Sequence, residues 1–221
     1  LGLVVAWPGR RVMRVVWALL LVDQIALVGS QVDNDSDAVV QVRNFYGTLR
    51  VTQEHAPPRA DVRSLYHGVI VHGRQVFRLD WRRMPNTYYA RTSGLGLALD
   101  QCCAGRPRRV GVIGLGTGTV ATYGNPGDTI RFYEINEAVE DIAKSYFTYL
   151  GDSPAVVQIV RGDARVSLAA EPPQRYDVLV VDAFSGDAIP AHLITAQALE
   201  VYRRHLAPGG IIAFNVSNDF L

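Results

Sequence analysis

The chain has 221 residues, 48% hydrophobic and 19% charged, enough for one large domain, or one domain and a small companion, around a buried core. Its formal net charge of +1 gives none of the basic footprint that nucleic-acid binding leaves, so no nucleic-acid partner is expected. The only cysteines, Cys102 and Cys103, are adjacent. Neighbouring cysteines rarely bridge and suit no metal site, so the expectation is a reduced, cytoplasmic compartment and no metal.

Residues 1–37 read as a hydrophobic and linker segment. Val12 to Val28 is mostly apolar, but Arg14 and Asp23 interrupt it, and the unbroken run Val15 to Val22 is too short to span a bilayer. It lacks the small-residue cleavage pattern of a signal peptide. Two readings fit: a buried helix or strand, or the remnant of a membrane segment preceding a soluble domain, with membrane association through the N-terminus. The first residue is leucine, as in a fragment or a processed product. The polar run Asp33 to Asp37 breaks the pattern, and the folded body is expected after it.

Residues 38–84 read as a small antiparallel β domain. VVQVRNFYGTLRVTQ carries short β-branched runs about a turn at Tyr46-Gly47, and SLYHGVIVHGRQVFRL repeats the pattern with Gly68 and Gly73. The two prolines of HAPPRAD, His55 to Asp61, make a loop between them.

Residues 85–221 change to alternating strands and helices, which predicts an α/β doubly wound parallel sheet. Pro85 opens a helix-like segment, TYYARTSGLGLALDQC, and the basic loop GRPRR leads to the first strand, Val110 to Ile113. A helix is expected after the glycines that follow. The second strand is Thr129 to Ile135. The helix NEAVEDIAKSYFTYL succeeds it, with Val139, Ile142, Ala143, Tyr146 and Phe147 at i, i+3, i+4 spacing. The third strand is Val156 to Val160 and the fourth Asp177 to Val181. The helix TAQALEVYRRHL stops at Pro208-Gly209-Gly210, ahead of a fifth strand, Ile211 to Val216. The chain stops soon after, where many such sheets add strands, so a truncated C-terminus is expected.

Four strand ends carry the chemistry. Gly114, Gly116 and Gly118 in VGVIGLGTGT allow a sharp turn and the approach of a ligand to the main chain. A dinucleotide loop would need its third glycine at Thr119, which disfavours a nicotinamide cofactor. A sulfonium nucleoside has no pyrophosphate to cradle and suits the pattern. Glu134 lies about 20 residues beyond the first glycine, where an acid receives ribose hydroxyls. Asp163 and the Ala164 amide are placed to read an adenine edge, and Asp163 equally suits a helix N-cap. Asp182 ends the fourth strand, at the ligand side of such sheets, with Asp187 in the same loop. If the second substrate is an amine, a carboxylate there can hold the ammonium and take its proton. Tyr88 and Tyr89 suit either a channel for cationic groups or ordinary packing.

VGVIGLGTG, FYEIN, GDAR and DAFSGDAIP together resemble the spermidine synthase (polyamine aminopropyltransferase) family, most of all its branch in which such a domain follows membrane-spanning segments. The resemblance runs from about Val39 to the end. It implies a β domain on a Rossmann-like, class I methyltransferase-like catalytic domain. It implies transfer of an aminopropyl group from decarboxylated S-adenosylmethionine to a polyamine or diamine, releasing methylthioadenosine, without metal and in a homodimer. It assigns Gly114, Gly116 and Gly118 to the nucleoside loop, Glu134 to the ribose, and Asp163, Ala164 and Pro190 to adenine. It makes Gln75 a nucleoside contact and Asp182 the proton acceptor, and sets Tyr88, Tyr89, Thr117 and Asp187 at the amine.

Three positions depart from the family pattern. Thr117 stands where an aspartate grips the aminopropyl amine, Ser185 where a second aspartate follows the catalytic one, and Tyr-Tyr where a tyrosine-histidine pair is usual. The nucleoside half of the site is better kept than the amine half. Two other functions therefore stay open: a methyltransferase using S-adenosylmethionine, although Val112 replaces the acid many of those carry, and a non-catalytic nucleoside- or polyamine-binding module of a membrane protein.

Overall fold

The computed structural model describes residues 13, 15–24, 38–55, 60–103, 105–184 and 189–216. Two compact units are present, Leu1–Ala38 and Val39–Leu221. In the first, Met13 and residues 15–24 are helical, and Trp17, Leu19, Leu20, Leu21 and Val22 are exposed. The expectation of a buried segment there is corrected: the run is helical but its apolar side chains face outward. Among the described residues no helix is long and apolar enough to cross a membrane. Asp33 to Asp37 lies outside the described residues.

In the second unit, β1 (Ala38–Asn44), β2 (Gly47–Glu54), β3 (Val62–His67) and β4 (Ile70–Val76) form one antiparallel sheet in chain order. Period-two alternation buries Leu49 and Val51 on one face of β2, as a half-covered sheet requires. The expected turn before Gly47 and the hairpin at Gly68 are both present.

The second sheet holds β5 (Arg109–Ile113), β6 (Thr129–Glu134), β7 (Val156–Arg161), β8 (Tyr176–Val181) and β9 (Leu206–Phe214), all parallel, in the order β7-β6-β5-β8-β9. Every residue of β8 is buried, the signature of a strand covered on both faces. One face presents Val110, Val112, Phe132, Val178 and Val180 to a core shared with Leu49, Val51 and Leu65 of the antiparallel sheet. The other presents Ile113, Tyr133, Leu179 and Val181 to Leu168, Ala198 and Tyr202. Successive residues thus serve opposite cores, and the small sheet is packed directly onto the large one.

The helices are α1 (Gly94–Gln101), α2 (Glu137–Tyr146), α3 (Tyr149–Asp152), α4 (Ala164–Ala170) and α5 (Ala196–His205). Ser93, Asn136, Asp163 and Thr195 cap α1, α2, α4 and α5 by accepting a backbone N–H. A buried ion pair fixes the start of β5. Arg108 donates from Nε and Nη2 to Asp128 Oδ2 at 3.0 and 2.7 Å, and its backbone N–H donates to Oδ1 at 2.7 Å.

Four local expectations change. The helix after the glycines is a 3-10 helix of five residues, Thr119–Tyr123, because the Gly124-Asn-Pro-Gly turn ends it before β6 begins. The segment after Pro85 splits into a 3-10 helix, Thr87–Tyr89, and α1, separated at the Ser93 cap. Pro208-Gly209-Gly210 lies inside β9 as a register slip, since Tyr176 pairs with Leu206 while Val178 pairs with Ile211. Cys102 and Cys103 are joined by a disulfide rather than left as separate thiols.

Candidate active site

β5 is central, and the chain leaves it toward β6 on one side and β8 on the other. The carboxyl ends of these strands meet at the topological switch point where open α/β sheets bind ligands. A cavity of about 250 Å³ lies there. Gly114, Glu134, Asp163 and Ala164 line it from the ends of β5, β6 and β7, and Ala183 and Phe184 from the end of β8. Pro190, His192 and Leu193 line another side. The antiparallel sheet contributes Leu49, Leu65, His67 and His72, with Tyr46 from its first turn. The lining is mostly apolar with a few convergent polar groups, as small-molecule sites are.

Glu134 ends β6 and is buried. Its Oε2 accepts the Leu115 N–H at 2.9 Å and its Oε1 the Asn136 N–H at 2.8 Å. Burial raises its pKa, and these amides pull it back. With the Ile135 amide acting on it as well, the carboxylate holds the glycine loop and keeps part of its acceptor capacity. Asn136 caps α2 through the Ala138 N–H at 3.1 Å and accepts from Asn44 Nδ2 of β1 at 2.6 Å. The small sheet is thereby tied to the rim of the cavity.

Asp163 performs the capping role: Oδ1 accepts the Val166 N–H at 2.9 Å. It also lines the cavity, with Oδ2 2.7 Å from His192 Nε2. Ala164 follows as the first residue of α4, where backbone N–H groups have no intrahelical acceptor.

Asp182 lies just beyond the cavity lining. Its carbonyl oxygen would be 2.5 Å from a Cβ on Gly114, so only glycine fits the tip of β5. The Tyr89 hydroxyl donates to Asp182 Oδ2 at 2.5 Å, and Asn215 Nδ2 donates to Oδ1 at 2.7 Å. Burial pushes the Asp182 pKa up to about 6, against the lowering effect of these two donors. The group therefore stays ionised at neutral pH yet is a stronger base than an ordinary aspartate. Burial, reinforced by the Asp182 charge, raises the Tyr89 pKa well above its usual value, so Tyr89 is a neutral donor. Tyr88 stacks obliquely on Tyr89, ring centroids 4.3 Å apart.

Gly114 lines the cavity, whereas Gly116, Gly118, Thr117 and Gln75 lie outside its lining. Gly114, Gly116 and Gly118 all take left-handed φ, 98°, 52° and 82°. Gly116 abuts the His72 carbonyl and Gly118 abuts Leu150, so both make room for the protein's own chain. Thr117 is buried, its hydroxyl 2.9 Å from that of Thr119, and it packs on Gly73, where a Cβ would stand 2.3 Å from Thr117 Oγ1. Gln75 is buried outside the lining. Its Nε2 donates to the Arg82 carbonyl at 2.8 Å and to Thr148 Oγ1 at 2.7 Å, and its Oε1 accepts the Thr148 N–H at 2.9 Å. Its amide is thus committed to joining β4 to the turn before α3. Asp187 and Ser185 lie outside the described residues. Among the described residues no group of three or more His, Cys, Asp or Glu is placed to hold a metal.

Sequence reasoning did not single out His67, His72, His192 or Asn215. The histidines of HGVIVHG carried a signal, since His67 and His72 flank a tight hairpin and lie with ring centroids 5.4 Å apart. Asn215 follows the strand beside β8, and its N–H bonds the Val181 carbonyl at 2.9 Å, so topology brings it to Asp182.

No protein-family model matches the chain. A probable polyamine aminopropyl transferase of Bifidobacterium longum is 34% identical over 109 residues, 48% of this chain and 23% of that protein. A polyamine aminopropyltransferase of Vibrio vulnificus is 34% identical over 117 residues, 50% of this chain and 38% of that protein. The chain spans 38% or less of the length of these curated relatives. Among solved structures, a probable spermidine synthase from Corynebacterium glutamicum superposes with a TM-score of 0.65 at 21% identity, covering 80% of this chain and 63% of that one. The chain therefore has the spermidine synthase fold, an antiparallel sheet on a Rossmann-like sheet. Its likeness to polyamine aminopropyltransferases covers about half of the sequence.

Proposed function

We propose that this chain carries the site of a spermidine synthase-like aminopropyltransferase, a transferase in polyamine biosynthesis. It moves an aminopropyl group from decarboxylated S-adenosylmethionine to a polyamine or diamine and releases methylthioadenosine. One observation carries the reading: a carboxylate with its pKa raised to about 6, Asp182, stands at a strand end beside a nucleoside-sized, mostly apolar cavity.

In this reading Glu134 receives the ribose hydroxyls on its free acceptor sites. Asp163 Oδ2 and the Ala164 N–H meet the adenine edge, and Pro190 packs on the ring. Gly114 lets the sulfonium end lie against the tip of β5. Gln75 and Thr117 are given no ligand role in this reading: the Gln75 amide bonds Thr148, and the Thr117 hydroxyl lies against that of Thr119. Tyr89 and Asn215 act through Asp182, holding its carboxyl in one orientation.

The amine arrives as an ammonium with a reference pKa of about 10.4, so its neutral form costs roughly 4–5 kcal/mol at pH 7. Asp182 accepts the proton as the nitrogen lone pair attacks the methylene carbon next to sulfur. The C–N bond forms as the C–S bond breaks, and the bonding pair passes to sulfur, which leaves as a neutral thioether. Alignment of nitrogen, carbon and sulfur supplies the rest. The leaving group is already positively charged, so the step needs no metal.

The same reading includes a homodimer at the cytoplasmic face of a membrane, within the membrane-fused branch of the family. The exposed apolar side chains of residues 15–24 support membrane association. Mass spectrometry of products from decarboxylated S-adenosylmethionine and a panel of diamines tests the function. Methylthioadenosine with an aminopropylated amine is the expected result, and a methylated product from S-adenosylmethionine opposes it.

A further inference from the structure

Two hydrogen bonds strap the loop after β8 to the start of α4. The loop carries a 3-10 helix, Ala191–Leu193, directly after Pro190. In it His192 Nε2 lies 2.7 Å from Asp163 Oδ2, and the His192 carbonyl accepts from Arg165 Nη1 at 3.1 Å. The next residue, Leu193, is buried, and its carbonyl accepts the Tyr202 hydroxyl at 3.0 Å. Backbone and side chain of His192 are therefore both held. The side chain is 48% exposed, so the ring is not there to fill the core.

The first of these bonds acts on an acid at the cavity wall. Asp163, His192 and Pro190 all line the cavity. Asp163 Oδ1 is taken by the Val166 N–H at 2.9 Å, the cap of α4. That bond alone leaves the carboxylate free to turn about its Cβ–Cγ bond, and a donor on the second oxygen fixes its plane. A carboxylate only accepts, so His192 Nε2 supplies the hydrogen. A carboxylate oxygen has room for two donors, so the ring does not exhaust Oδ2.

We propose that His192 is a positioning residue for base recognition: by donating to Asp163 Oδ2 it holds that carboxylate in one plane at the cavity wall, where it accepts the exocyclic amine of a 6-aminopurine and rejects a 6-oxopurine. The amine sets an N–H against the carboxylate. A 6-oxo group sets a second acceptor there, so the bond is unmade and the two oxygens repel. A carboxylate free to turn binds the amine less well and avoids the oxo group more readily. Loss of His192 therefore narrows the difference between the two bases, whereas a merely structural defect weakens both alike. The inference rests on the nucleoside reading of the site, with Asp163 at the base.

Calorimetric titration of the full chain with two ligands tests it. Methylthioadenosine carries the 6-amino group, and methylthioinosine carries a 6-oxo group on the same ribose and thioether. His192→Ala removes the donor from a half-exposed position, and His192→Gln restores an N–H on a side chain of similar reach. Wild type should prefer methylthioadenosine. The Ala variant should bind methylthioadenosine about tenfold more weakly and methylthioinosine within about twofold of wild type, the scale of one hydrogen bond to a charged group. The Gln variant should recover most of the preference. Equal binding of the two ligands by wild type, equal weakening of both or of neither by His192→Ala, or a Gln variant no better than the Ala variant overturns the role of His192. Failure of wild-type protein to bind either ligand instead overturns the nucleoside reading of the site, and the inference with it.

Discussion

The Tyr89 hydroxyl donates to Asp182 at 2.5 Å, joining the segment ahead of α1 to the end of β8 across 93 residues of sequence. This bond stabilises the charged carboxylate and partly offsets the effect of its burial. Replacing Tyr89 by Phe should raise the Asp182 pKa above about 6. The acidic limb of the pH–rate profile then moves to higher pH, by roughly one unit for one lost hydrogen bond. Methylthioadenosine affinity should stay unchanged. An unmoved limb with a lower rate at every pH would mean that Tyr89 contacts substrate instead.

The raised pKa of Asp182 also makes a stability prediction. The folded state binds its proton more tightly than the unfolded state, whose value is 3.8, up to about 6. Stability from this group therefore falls as pH rises from about 4 to about 6 and stays low above that. Asp182→Asn should remove the penalty. The variant should be more stable than wild type at pH 7–8 by about 1–3 kcal/mol, with the advantage shrinking toward zero near pH 4. Urea denaturation across pH 4–8 measures it, and a pH-independent difference would contradict it.

Arg108 and Asp128 make the opposite case. Burial works to raise the Asp128 pKa, but the Arg108 guanidinium and the Arg108 and Asn125 amides together hold it below its usual value. Its contribution to stability is present above the unfolded pKa near 3.8 and is lost as pH falls through the lower folded value. Asp128→Ala leaves the Arg108 charge buried and should cost about 3–5 kcal/mol at pH 7. Chemical denaturation checks this, and a cost under 1 kcal/mol would show that the guanidinium finds solvent.

Glu134→Gln tests whether one side chain serves both loop and ligand. Glutamine retains a single acceptor oxygen, and its NH2 would face either the Leu115 or the Asn136 N–H. The variant should lose about 1–3 kcal/mol of stability, the cost of an unsatisfied buried amide. It should also bind methylthioadenosine at least tenfold more weakly. A loss of stability with unchanged affinity would confine Glu134 to the loop.

The sheet was legible because four of its five parallel strands, β5 to β8, are apolar runs closed by glycine or an acid, and their spacings leave room for crossovers. Glu134 and Asp182 could be placed from that pattern alone, since residues at strand ends share one edge. Asp163 was ambiguous for a physical reason: it caps α4 and faces the cavity at once. The glycine loop was legible only in part. Its glycines fit a nucleoside loop, and Gly116 and Gly118 also make room for His72 and Leu150, contacts from segments distant in sequence. Gln75 and Thr117 were read by family position, and their contacts with Thr148 and Gly73 were not legible in the sequence. His72, His192 and Asn215 reach the site from other elements, so no local spacing announces them.

The central claim is that Asp182 takes the proton from the attacking amine. The most direct test is single-turnover release of methylthioadenosine from decarboxylated S-adenosylmethionine and a diamine, with binding of methylthioadenosine measured in parallel. Wild type should form product. Asp182→Asn should bind the nucleoside within about threefold while its transfer rate falls at least about 100-fold, the lower bound for loss of a general base. A variant that transfers the aminopropyl group at the wild-type rate would contradict the account.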